Sequence, residues 1–109
     1  MARKKEHNTY RNLKQQYPDY LDAVESLGAA VRHAGPLDES VVQLIQLGAA
    51  AAIHSEGAVH SHARRALEAG ATPEQIRHTL ISLTSTIGFP TVVAAISWAD
   101  DVIGAPPVA

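Results

Sequence analysis

An all-α fold, a compact bundle of about five to six helices, is what this sequence predicts. Three observations carry that prediction. Alanine supplies 19 of 109 residues while only five are aromatic, a balance suited to close-packed helices, since Ala is the best helix former. Apolar residues recur every three or four positions, and no alternating strand pattern is present. Gly and Pro punctuate the chain between those periodic stretches. The chain is 46% apolar, enough for a packed core and too much for global disorder, and its length suits one domain.

The elements follow in order. Residues 1–16 are polar and charged and form an arm or a short peripheral helix. Residues 17–104 make a single helical domain, and 105–109, with Pro106-Pro107, an extended tail. Over 18–34, Leu21, Val24, Leu27 and Val31 recur at helical spacing, and Gly35-Pro36 marks the stop. Asp38 caps a second helix carrying Val41, Val42, Leu44, Ile45 and Leu47. Its end, residues 48–53, is apolar all round, so it is expected to be buried by a close-crossing helix or another subunit. Ser55 is an N-cap type, with Glu56 inside the positive end of a third helix that runs to Ala69 and stops at Gly70. Thr72-Pro73-Glu74-Gln75 joins an N-cap Thr, a Pro at the first helical position and a Gln three residues after the cap. The fourth helix then carries Ile76, Leu80, Leu83 and Ile87 on one face to Gly88. After Phe89-Pro90 a fifth turns Val93, Ile96, Ala99 and Val102 inward and closes at Gly104.

Composition excludes several classes of function. Nine Lys and Arg against eleven Asp and Glu give a net charge of −2, which disfavours nucleic acid as a partner. The absence of cysteine removes disulfides, thiolate metal sites, a Cys nucleophile and thiol redox cycling. The longest apolar run, 47–53, falls short of the roughly 20 residues needed to span a bilayer, and no apolar stretch follows the basic start. No membrane partner and a cytoplasmic location are therefore expected.

Phosphate-loop, Gly-x-Ser-x-Gly and His-Glu-x-x-His motifs are all missing. Histidines are the one concentration of interest: His54, His60 and His62. On a helix His60 and His62 point about 200° apart and cannot grip one ion, so no metal site is expected within a chain. Ser55, Ala58, His62 and Ala66 fall within about 60° of one another. That puts His62 on a small-residue, inward-facing stripe, as a hydrogen-bonded core histidine or as an acid/base group with a shifted pKa. His60 projects toward Arg64 on the polar face and, like His78, is expected to be solvated. Thr79, Ser82 and Thr86 form a hydroxyl stripe that either returns bonds to the preceding turn or walls a ligand or subunit contact.

Several short motifs occur in order: Leu37-Asp38, Leu44-Ile45-x-Leu47, Glu56-Gly57, His62-x-x-x-Ala66-x-x-x-Gly70, Thr72-Pro73-Glu74-x-Ile76 and Gly88-x-Pro90. Together they resemble the carboxymuconolactone decarboxylase / alkylhydroperoxidase D-like family over roughly residues 37–100. The resemblance implies an all-helical fold and assembly with copies of itself, as a homotrimer or homohexamer. The thiol positions of the family's redox branch correspond to Ser55 and Ala58, and the glutamate of its proton relay to Gln43. The glutamate of the decarboxylase branch would fall at Ala58, and its tyrosine at Thr86. His62 alone matches either chemistry.

The expectation is a cofactor-free acid/base enzyme, not a thiol peroxidase, acting on a small lactone or keto acid by decarboxylation or a proton shift. His62 is the catalytic candidate, with Gln43, Ser55, Ser82 and Thr86 orienting the substrate. The alternative is a non-catalytic oligomer of the same fold that binds a small molecule or serves as a scaffold.

Overall fold

The computed structural model describes the backbone of residues 2–104 and the side chains of residues 8–104; the tail expected at 105–109 lies outside the described residues. Seven helical segments follow one another: α1 (Ala2–Gln16), α2 (Pro18–Arg32), α3 (Glu39–Ala52), α4 (Glu56–Glu68), α5 (Pro73–Ile81), α6 (Thr84–Ile87) and α7 (Phe89–Ile103). Among the described residues there is no strand. No described helix is long and apolar enough to cross a membrane.

The chain divides into two compact units, Met1–Leu37 and Asp38–Ala109. The division lies at 37/38, so α2 forms its unit with α1 instead of with the later helices. In this first unit, the only break between the helices is at Tyr17 (φ −133°, ψ 64°), which Pro18 pushes out of the helical region. Glu25 of α2 accepts hydrogen bonds from the Tyr10 hydroxyl and, at 3.3 Å, from the Lys14 ammonium. Leu21 is buried, whereas Val24, Leu27 and Val31, periodic in sequence, are exposed.

In the second unit, α3, α4, α5 and α7 enclose the core: Leu47, Ala50, Ala51, Val59, Ala63, Ala66, Ile76, Leu80, Ala95 and Ala99. The α3–α4 corner is built by two local devices in direct succession. At the end of α3, His54 N–H donates to Ala51 O and Ser55 N–H to Ala50 O, with His54 at φ 58°. This is a Schellman closure, which normally places Gly at that left-handed position. Ser55 then caps α4, its Oγ accepting from Ala58 N–H at 3.3 Å. A second Schellman closure ends α4, with Gly70 at φ 102° and Ala71 N–H donating to Ala66 O. Thr72 and Gln75 form the complete capping box expected for α5.

Three expectations need correction. The helix predicted from Thr72 to Gly88 is broken at Ser82–Leu83 into α5 and the single turn α6. The hydroxyls supply the cause: Thr79 Oγ1 donates to Gln75 O, Ser82 Oγ to Thr79 O and Thr84 Oγ1 to Ile81 O, in competition with the backbone ladder. On α7, Val92 and Ala95 are buried beside Ala99, and Val93 is exposed. His60, expected in solvent, is buried.

Candidate functional site

The buried face of α4 is Val59, His60, Ala63 and Ala66. On an alanine-rich helix the apolar stripe is broad, and its centre is set by the helices that cover it. Here α3 and α7 cover it, and on the α7 side His60 Nε2 lies 2.9 Å from Asp101 Oδ2, with Glu56 Oε2 of α4 itself at 4.0 Å. His60 Nδ1 is buried without a hydrogen-bond partner. A neutral imidazole that donates from Nε2 leaves only a bare lone pair at Nδ1, which costs less than an unpaired N–H.

His62 flanks the same face and is half-buried. Its Nδ1 lies 2.9 Å from Oε1 of Gln43, a residue of α3 that is 1% exposed. An amide oxygen only accepts, so Nδ1 carries the proton and Nε2 keeps the lone pair. Burial, and secondarily the Arg65 charge, lower the His62 pKa below its ordinary 6.5. The result is a neutral imidazole with a fixed tautomer and a basic nitrogen that no described residue engages by hydrogen bonding.

Of the five predicted site residues, the structure brings together His62 and Gln43. Ser55 sits two turns away on the His62 side of α4, with its hydroxyl committed to the helix cap. Ser82 and Thr86 lie elsewhere, in an open apolar groove of about 540 Å³ floored by Val41, Leu44, Ile45 and Gly48 of α3 and walled by Leu83 and Ile87. At 100° per residue those α3 positions centre roughly 150° from Gln43, so the groove and the His62–Gln43 pair occupy different faces of α3. Gly48 keeps the groove wall close, since a Cβ there would meet Leu83 Cδ1 at 3.2 Å.

The family model described as the carboxymuconolactone decarboxylase family matches residues 18–101. The chain belongs to the carboxymuconolactone decarboxylase family. The match starts before the motifs at 37–100 and takes in all of α2. The uncharacterized protein MJ1511 of Methanocaldococcus jannaschii is 28% identical over 96 residues, covering 88% of this chain and 90% of that one. The fold is similar to that of apo-lpg0406, a carboxymuconolactone decarboxylase family protein from Legionella pneumophila. The TM-score is 0.78 at 21% identity, with 92% of each chain covered. This member of the family contains no cysteine. Ser55 and Ala58 are joined to each other by the α4 cap.

Proposed function

We propose that the His62–Gln43 pair is the acid/base centre of a cofactor-free enzyme acting on a small lactone or keto acid. The supporting observation is the 2.9 Å bond from His62 to a fully buried Gln43, which fixes the ring and leaves Nε2 basic. In a proton shift, Nε2 takes the proton from the carbon beside a carbonyl, and the C–H electron pair moves to the carbonyl oxygen as an enolate. The imidazolium then returns the proton to the other end of the enolate. In decarboxylation, CO2 leaves, the C–C electron pair stays as the enolate, and His62 Nε2 relays a proton from solvent water to the enolate carbon. Gln43 orients the ring, and Ser55 lies on the same side of α4 with its hydroxyl in the helix cap. Ser82 and Thr86 line the groove on a different face of α3.

We further propose that the chain works as a homotrimer or homohexamer. The support is uncovered apolar surface at α3, where Ile45 in the groove is 55% exposed and Ile53, just past the end of the helix, is 74% exposed.

The test of the acid/base centre is a panel of small lactones, keto acids and aromatic acids, run on wild type and His62→Ala. The expected outcome is a compound that raises the melting midpoint of wild type alone and takes up solvent deuterium beside its carbonyl only with wild type. If no compound shifts or exchanges, and His62→Ala is merely less stable, the chain is a non-catalytic scaffold or binding member of the family.

A further inference from the structure

We propose that Glu56, His60 and Asp101 form a binding site for a divalent transition-metal ion, with zinc as the reference ion. Three donors from two helices converge there: Glu56 and His60, one turn apart on α4, and Asp101 on α7. Their ligand atoms all lie within 4.8 Å of one another, with His60 Nε2 at 2.9 Å from Asp101 Oδ2 and 4.0 Å from Glu56 Oε2. Ligands each about 2.0–2.2 Å from a zinc ion stand roughly 3.4 Å apart when tetrahedral, so these separations bracket what an ion requires. Seating the ion therefore takes side-chain shifts of about an ångström or less.

A second observation points the same way. Asp100 and Asp101 lie in the last turn of α7, which carries no basic residue. A carboxylate there faces the negative end of the helix dipole and calls for a cation. Asp100 is met by Arg77, whose Nε lies 3.3 Å away and whose other arm binds Gly104 O at 2.5 Å. A divalent ion beside Asp101 meets the same field. The nitrogen ligand selects zinc-like ions over calcium or magnesium, which prefer oxygen alone. The Asp101 side chain is 54% exposed, so water reaches the ion and completes its coordination.

The site is separate from the His62–Gln43 pair, because residues two apart on a helix point about 200° apart. Metal binding moves the His60 proton to Nδ1, which has no partner, whereas a histidine ligand normally anchors its second nitrogen. The affinity is accordingly expected to be about tenfold to a hundredfold below that of a fully supported zinc site.

The test is calorimetric titration of Zn2+ into EDTA-treated, dialysed protein, with Mg2+ and Ca2+ in parallel. The expected result is one zinc ion per chain and no comparable uptake of Mg2+ or Ca2+. Asp101→Asn and Glu56→Gln alter accessible ligands and preserve side-chain volume, so both variants are expected to fold. Each should weaken zinc binding roughly tenfold or more, while His33→Gln and His54→Gln leave it unchanged. Co2+ should show visible absorption bands that Asp101→Asn abolishes. No uptake at one ion per chain overturns the site, and so does uptake that Asp101→Asn leaves intact or that follows His33 or His54.

Discussion

His62 holds its proton on Nδ1 because Gln43, its partner there, can only accept. A glutamate at position 43 would stabilise an imidazolium; the amide does not, and burial disfavours charge further. The sign of the pH effect follows. Since the folded-state pKa is lowered from 6.5, the unfolded chain binds more protons as the solution acidifies. The contribution of His62 to stability is thus complete above the ordinary value and is lost as pH falls toward the folded one. In metal-free protein, the unfolding free-energy difference between wild type and His62→Gln should therefore change from about pH 7.5 to about pH 5, to the disadvantage of wild type. By NMR the His62 ring should titrate below 6.5, and Arg65→Gln should raise its midpoint. A ring titrating at or above 6.5 would remove the basis for a neutral base.

The α3–α4 corner shows how an element boundary can be tight without being optimal. His54 occupies the left-handed position of the Schellman closure at φ 58°, where a Cβ crowds the carbonyl. His54→Gly should stabilise the fold by roughly 0.5–1 kcal/mol, the relief of that crowding less the entropy glycine loses on folding. Chemical denaturation of the two proteins measures it. A destabilised variant would mean that the His54 side chain makes a contact worth more than the strain. At the α5–α6 break, the neighbouring hydroxyls return their protons to backbone carbonyls one turn earlier, which accounts for Thr79 and Ser82 without a ligand.

Assembly belongs to the scale of the whole molecule. The second unit encloses its core largely with alanines and leaves Val41, Ile45, Ile53, Ile81, Phe89 and Val93 exposed. A core of small side chains buries little area per residue, so a second layer of burial between copies is a direct route to added stability. Ile45→Lys places a charge on the groove floor and should shift the protein from a trimer or hexamer to a monomer, with the helical signal retained. Size-exclusion chromatography with light scattering reads the mass, and circular dichroism the helix content. A wild type that is monomeric at micromolar concentration, or an Ile45→Lys that assembles normally, would refute self-association through α3. Zinc uptake at Glu56, His60 and Asp101 is predicted to be independent of that outcome, because its three ligands come from one chain.

The features legible in the sequence are those set within a turn or two of chain. Ser55 capping α4, the Thr72–Gln75 box and the stop at Gly70 depend on neighbours in sequence, and each stands where the residue types indicate. Composition alone settled that this chain has no thiol chemistry. Helical periodicity was enough for the all-α class, because the 3.6-residue repeat belongs to the helix itself. Gln43 was found through a family motif, not through any local pattern, and only packing put its amide on His62 across 19 positions. The pairing of His60 with Asp101 spans 41 positions and left no trace in local sequence. An alanine-rich helix has nearly equivalent faces, so which one is buried depends on where α3 and α7 come to rest. The separation of Ser82 and Thr86 from His62 has the same origin: helical spacing orders residues around one axis, while tertiary packing alone decides which axes share a face.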